Sequence, residues 1–425
     1  MPSVVCVLAE MEPGGLAGLA RVLDRLGLGY EHRAPAALHM RDDPGVPVVL
    51  DPRCLLAGQV PIGLATSRTA PPLLAACAEA DRTLVSAALA RGLCDVVDPE
   101  DDPATIRQRL EIAGRFGLRR RMLRLYRETS ERFAPLERVR PDLAALLAAE
   151  VPKPRLLVAG PGGAAQVDVL QVLGGWARAS IAPRFDPSQD TTDLDLVVLT
   201  GPSPAAPAGP GWAALSGTLQ RPAPVIAVGS FAAEVADRIP SRAPPELIKL
   251  RLRAWLGHRV IERELRGSVD EWARPAVVDP ASCLYTRSFF LDLVDAVLRF
   301  PGGATTAMLG LAIDGVDELA RRHGQVIGDR ALRLIGRAIA ALTRAEDLAA
   351  RIDQARFAIA LPAADPAGAD AMARRLAVQL QTIRLPGLDT TRLRAATAIF
   401  RVGQDARRLV DAALDRVDLD AARIA

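Results

Sequence analysis

Nothing in these 425 residues is built to enter or cross a membrane: there is no basic–apolar–small leader and no apolar run long enough to span a bilayer. Histidine is scarce, at four, and the five cysteines (Cys6, Cys54, Cys77, Cys94, Cys283) are scattered, odd in number and free of CxxC spacing. That pattern argues against a structural metal site, and four of the cysteines stand in apolar strand-like or helical context as small buried hydrophobes. An excess of one charge is missing too. The 53 basic and 50 acidic residues leave +3, which by itself points to no nucleic-acid partner. A P-loop is also absent, because Gly160-Pro-Gly-Gly163 lacks both the second spaced glycine and the Lys-Ser/Thr, and reads as a turn. The expected setting is the reducing cytoplasm.

What is present is a globular composition, half apolar and a quarter charged, in a chain long enough for two to four domains. Ser3–Ala9, Pro47–Asp51 and Pro61–Ser67 read as short buried strands, with a helix through Leu73–Leu89 leading to Asp95–Pro99. Their carboxyl ends carry Glu10 with Glu12, Asp51, Thr66 and Asp98. Short apolar runs alternating with helices predict a doubly wound parallel sheet, whose ligand chemistry sits at the carboxyl ends of the strands. A long helix follows from Pro103 to about Leu136, with the basic run Arg119–Arg121 read as a solvated face or a domain joint. The pattern then restarts at Arg155–Ala159, Asp195–Thr200 and Pro224–Ser230, and closes on a helix from Pro245 to about Arg266. The expected organisation is three domains over 1–140, 151–266 and 267–425.

The repeated βα pattern resembles two tandem receiver domains of response regulators, with the flavodoxin-like fold. The resemblance implies a phosphoacceptor at Asp51, Mg²⁺ held by Glu10, Glu12 and Asp51, and a hydroxyl contact from Thr66. Asp98 falls where that family has lysine, so Asp51 as a plain acid at a strand end stands beside the phosphoacceptor reading. In the second repeat Thr200 takes the acceptor position and Gly160-Pro161 the place of the acid pair. This repeat is expected to dimerise rather than to be phosphorylated.

From residue 267 the chain resembles the diguanylate cyclase (GGDEF) family. Asp279, Leu284 and Arg287 fit its opening signature, and Gly324, Gly328-Asp329, Arg351, Phe357 and Pro362 hold their places. The resemblance implies an α/β domain with a central mixed sheet. Joining two GTP molecules needs metal-held phosphates and a glycine backbone close to them. Here Ala312 stands for the first metal acid, Asp353-Gln354-Ala355-Arg356 for the glycine-and-acid tip, and Ala320 for the guanine-contacting Asn. No catalytic residue and no metal is expected in this domain.

The family also binds cyclic di-GMP at an Arg-x-x-Asp site before the hairpin tip, matched by Arg344-Ala-Glu-Asp347, with Arg351, Arg375, Arg374 and Arg299 as further candidates. Arginine forks onto guanine or phosphate and a carboxylate accepts from guanine N–H groups, which suits such a ligand. The motif alone says little: Arg21–Asp24 and Arg408–Asp411 repeat it within helical patterns, as (i, i+3) surface pairs. The expected function is a non-catalytic cyclic di-GMP effector, homodimeric through its receiver-like domains. The resemblance implies recruitment to a cell pole in cell-cycle control, with protein adaptors and a proteolysis substrate as partners. A weakly active cyclase and a ligand-free dimeric scaffold are the alternatives.

Overall fold

The structure, a computed structural model, describes residues 4–7, 16–33, 46–57, 72–133, 153–185, 193–200, 223–229, 235–240, 243–271, 276–299, 306–364, 366–381, 392–399 and 405–424. It divides into two compact units, Met1–Arg121 with Arg140–Ile261, and Met122–Val139 with Glu262–Ala425.

The first unit holds two five-stranded sheets. β1 (Val4–Val7), β2 (Tyr30–Arg33), β3 (Val48–Leu50), β4 (Leu73–Ala76) and β5 (Asp95–Val97) line up in the order β2-β1-β3-β4-β5, all parallel. Between them run α1 (Ala17–Arg25), α2 (Pro52–Leu56) and α3 (Arg82–Ala90), and α4 (Pro103–Phe133) follows. β6 (Arg155–Ala159), β7 (Arg178–Ala182), β8 (Leu196–Thr200), β9 (Val225–Val228) and β10 (Asp237–Ile239) repeat that order, with α5 (Ala164–Leu173) inside and α6 (Pro245–Glu271) after. Both sheets thus have the flavodoxin-like order 2-1-3-4-5, with a switch point beside the first strand. Their central strands are covered on both faces, which is why they read as unbroken apolar runs rather than alternating ones.

Two expectations need correction. Leu73–Ala76 is not the start of a helix but β4, buried throughout and paired with β3 and β5. The helix begins only at Arg82, where the Asp81 side chain accepts from Leu84 N–H at 3.0 Å. Leucine and alanine favour helices, but burial between two strands overrides that preference. The fourth strand therefore ends at Ala76, with Cys77 next in the chain, and Pro61–Ser67, the expected strand, lies outside the described residues. Of the two roles expected for the basic run, solvated face or domain joint, the first fails at Arg120 and Arg121: they are 2% and 4% exposed, with the Arg120 guanidinium 5.6 Å over the Phe116 ring.

The two repeats pack on each other within this unit through equivalent residues. Leu247 and Leu250 of α6 join the core of the first repeat, while Ile248 and Leu252 join that of the second. Beside them Arg109 of α4 is paired with Asp237 of β10, and Arg251 of α6 donates through Nε to Asp95 of β5 at 3.1 Å. Arg251 also binds Glu79, and Trp255 Nε1 donates to Asp237 at 2.9 Å. Burial alone would lower the Arg251 pKa; Asp95, Asp237 and Glu79 outweigh it and hold the guanidinium above its usual range.

In the second unit α7 (Arg287–Leu298), β11 (Thr306–Asp314), α8 (Val316–His323), α9 (Gln325–Leu342), β12 (Leu348–Asp353), β13 (Arg356–Pro362), α10 (Pro366–Gln381), β14 (Arg392–Ile399) and α11 (Ala406–Ile424) build a sheet in the order β12-β13-β11-β14. Its named strands all pair antiparallel, where a mixed sheet was expected; the parallel pairing described here is the single bridge Tyr285↔Ala350. One core cluster joins Leu309, Leu311, Phe357 and Ile359 of the sheet to Leu319, Leu332, Ile335 and Ile339 of α8 and α9. The ends of α4 and α6 belong to this unit. Tyr126 and Phe133 lie 5.4 and 5.3 Å from the Phe289 ring, and Arg266 donates to Ala340 O at 3.3 Å and Thr343 O at 3.1 Å. Among the described residues, no helix is long and apolar enough to cross a membrane.

Candidate functional site

The stretch 344–362 begins where α9 runs out. Thr343 closes the helix, its hydroxyl donating to Ile339 O at 3.0 Å, and Arg344 starts the turn into β12. Within this turn the Arg344 N–H donates to the Asp347 carboxylate at 2.6 Å, leaving the Arg344 side chain on an exposed residue. Arg375 reaches in from α10, its Nη2 donating to Leu342 O at 2.7 Å. Burial, and then the positive charge of Arg344, pull the Arg375 guanidinium below the usual arginine range, while Asp347 opposes them. Arg344 and Asp347 thus share one turn, and Arg375 binds the Leu342 carbonyl just before it. Arg374 is the exposed neighbour on α10. Arg299 sits at the exposed C-cap of α7, with no described contact to that group.

Arg351 does not belong with them, contrary to the expectation. Its Nε donates to Gln354 O at 2.7 Å and its Nη1 lies 3.4 Å from both Asp279 oxygens, so it ties the hairpin tip to the 279–282 turn. The same Asp279 carboxylate accepts from Ser282 N–H and Oγ at 2.8 and 2.7 Å. Cys283, next in the chain, has φ 60°, a left-handed angle that costs a side chain roughly 1–2 kcal/mol.

A second, open cleft of about 480 Å³ lies between the end of β11 and the hairpin tip, lined by Ala312, Asp314, Asp317, Asp353, Gln354 and Arg356 among others. Ala312 is in register with Arg356. The Arg356 guanidinium forks onto Asp353 at 2.8 and 2.5 Å and reaches Asp418 of α11 at 3.2 Å; the bond to Asp353 is the main cause that raises its pKa further. Neither Gln354 nor Ala355 takes a positive φ, so this tip turns without the freedom glycine supplies. Between α8 and α9, a Cβ on Gly328 would meet the Ala320 Cβ at 2.6 Å, and Asp329 accepts from Gln325 Nε2 at 2.8 Å. No three His, Cys, Asp or Glu side chains among the described residues come together as metal ligands.

At the switch point of the first sheet Asp51 follows β3 and is 0% exposed. Arg53 serves it from both backbone and side chain, with N–H to Oδ1 at 2.8 Å, Nη2 to Oδ2 at 2.8 Å and Nε 3.2 Å from both oxygens. Glu10, Glu12 and Thr66 lie outside the described residues. Because β4 ends at Ala76, Cys77 takes the place at that strand's carboxyl end that was expected of Thr66. Burial first, then Asp81, Asp98, Asp95 and Glu79, push its thiol up to about 12. In the second sheet Thr200 is 2% exposed, and a Cβ on Gly160 would meet its carbonyl oxygen at 2.1 Å, so backbone fills the space at that strand end.

Sequence reasoning missed Arg53, Arg266 and the partners of Arg356, whose roles depend on approaches that spacing does not encode. The Arg109 and Arg251 bridges did leave a signal. Asp95, Pro103 and Arg109 recur at the same intervals as Asp237, Pro245 and Arg251.

Residues 276–417 match the family model described as diguanylate cyclase, GGDEF domain. Among solved structures the chain is similar to the GGDEF domain of DgcB from Caulobacter crescentus in complex with c-di-GMP, at 18% identity over 35% of this chain and 89% of that one, with a TM-score of 0.33. It is similar to the FimX GGDEF domain from Pseudomonas aeruginosa, at 25% identity over 35% and 94%, TM-score 0.32. The diguanylate cyclase SiaD from Pseudomonas aeruginosa, in complex with its activator SiaC, matches at 23% identity over 39% and 64%, TM-score 0.33. No curated protein matches the chain.

Proposed function

Residues 276–417 form a domain of the GGDEF diguanylate cyclase family, and on that premise we propose that it binds cyclic di-GMP at Arg344, Asp347 and Arg375 without making it. The observation that carries this reading is the contrast between the two ends of one hairpin. At the tip, an alanine methyl and a guanidinium stand where a pair of divalent ions needs carboxylates. Arg356 already pairs with Asp353 and Asp418, and Asp314 and Asp317, which line the same cleft, are not joined by a third metal-ligating side chain among the described residues. The donor set therefore does not fit the metals of GTP condensation. On the flank, Arg344 and Asp347 share an exposed turn and Arg375 binds Leu342 O beside it, a set of residue types that suits guanine edges and bridging phosphates.

The rest of the reading follows from resemblance. Two receiver-like repeats would carry the domain, with protein adaptors and a proteolysis substrate as partners and a cell pole as the place of action. Asp51 is already neutralised by Arg53, which favours the plain-acid reading over Mg²⁺-dependent phosphorylation. Dimerisation through the receiver-like repeats would have to use surfaces other than the one they cover in each other.

One observation favours the ligand-free scaffold as a second reading: Asp347 and Arg375 each hold a backbone partner in this same turn. Calorimetric titration of the full chain with cyclic di-GMP separates the two. Binding by wild type, weakened in Arg344→Ala by about 5- to 150-fold as the loss of one bidentate contact implies, supports the effector. No heat for wild type, or equal affinity in the variant, removes the site. In parallel, GTP with Mg²⁺ or Mn²⁺ is expected to give no dinucleotide; turnover would restore the cyclase alternative.

A further inference from the structure

The turn that carries Arg344 and Asp347 is closed by its own bonds, Arg344 N–H to the Asp347 carboxylate at 2.6 Å and Asp347 N–H to Arg344 O at 3.3 Å, and it is tied from outside as well. A helix ends with carbonyls that have no partner within the helix, and at the negative end of its dipole. At the end of α9 the Thr343 hydroxyl takes Ile339 O at 3.0 Å and Ala340 O at 3.2 Å, and arginines from two other helices bind Ala340 O, Leu342 O and Thr343 O. Arg375 of α10 binds Leu342 O at 2.7 Å, while Arg266 of α6 binds Ala340 O at 3.3 Å and Thr343 O at 3.1 Å. Thr343 is the residue directly before Arg344. Arg266 is itself steadied by Glu262 one turn back, at 3.5 Å. The two arginines differ in exposure to a ligand. Arg375 binds Leu342 O, two residues before Arg344, and belongs to the proposed binding group, whereas the hydrogen bonds of Arg266 described here go to main-chain oxygens.

Resting on the reading above, we propose that Arg266 is the positioning residue of the ligand turn, and that it couples occupancy of Arg344, Asp347 and Arg375 to the order of the last turns of α6. A ligand that draws Arg375 toward its phosphates or guanine edges competes with Leu342 O for that guanidinium. Beyond its own Thr343 cap, the end of α9 is then held from another helix by Arg266. The bound turn consequently needs α6 in place, and by thermodynamic reciprocity α6 is held more firmly when the ligand is bound. The stretch 262–271 belongs to the same compact unit as the turn, and α6 is one helix from Pro245 to Glu271.

Hydrogen–deuterium exchange on the full chain, with and without saturating cyclic di-GMP, reads this directly. The expected result is slower exchange of backbone amides in 262–271 together with 340–347. Titration should show Arg266→Ala binding about tenfold more weakly, within the range of site couplings. Arg266→Lys, which keeps a donor for one carbonyl, should recover part of that loss, and ligand protection of 262–271 should vanish in the alanine variant. If wild type binds but exchange in 262–271 does not change, or Arg266→Ala binds as tightly as wild type, the coupling is wrong and the binding site stands. If wild type does not bind, the site and the coupling fall together. Should Arg266→Ala not fold, the wild-type exchange measurement decides alone.

Discussion

Asp101, in the loop between β5 and α4, shows how a single carboxylate sets a pH dependence for the fold. Burial first, then the negative charges of Glu79 and Asp98, push its pKa from the ordinary 3.8 up to about 6. A carboxyl whose folded pKa lies above its unfolded one binds its proton more tightly in the folded state. Its contribution is fully present below pH 3.8 and is lost as pH rises through 6. At neutral pH Asp101 is therefore a penalty, and Asp101→Asn should stabilise the chain there by about 1 kcal/mol, the half-exposed group being partly screened by water. Chemical denaturation at pH 7.5 and pH 4 checks this: the gain should disappear at the lower pH. An equal gain at both would mean that the charge is not its source. Arg356 and Arg53 follow the same local logic in reverse, since each sits where a nearby carboxylate needs a cation.

Elements in the second unit are fixed by close backbone approach. A Cβ on Gly336 of α9 would meet Ser282 O at 2.0 Å, and one on Gly310 of β11 would meet Ala413 of α11 at 2.8 Å. The obstacle at Gly336 is main chain rather than a flexible side chain. Gly336→Ala should therefore cost 1–3 kcal/mol by overpacking despite alanine's better helix propensity. Thermal melting of the variant should fall accordingly; an unchanged or higher Tm would show that the 279–282 turn yields easily. Such contacts also explain what could be read in advance and what could not. The helices and strands of this domain, the hairpin at 353–356 and the Arg344-x-x-Asp347 turn follow from periodicity and frame. Leu73–Ala76 was misread because its residues favour helix while its burial demands strand. Arg351 was misplaced because its partners, Asp279 and Gln354 O, meet it only after folding. Arg266 could not be assigned for a similar reason, since its bonds go to main-chain oxygens that no residue identity announces.

At the scale of the whole molecule, the first unit is two copies of one sheet order joined by reciprocal Arg–Asp bridges. Both bridges are buried, so removing one partner strands a charge and should cost about 3–5 kcal/mol. Because Asp95 and Asp237 lie in one network with both arginines, the losses in Arg109→Ala, Arg251→Ala and the double variant should not add. A double-mutant cycle by urea denaturation measures this, and simple additivity would show two independent bridges instead. In this chain the face of each repeat that carries its Arg–Asp bridge is covered by the other repeat. The encounter is therefore intramolecular, with an effective concentration set by the connecting chain rather than by how much protein is in solution. This pairing is consequently insensitive to dilution: it should persist at nanomolar protein as at millimolar, and a change in expression level would not regulate it.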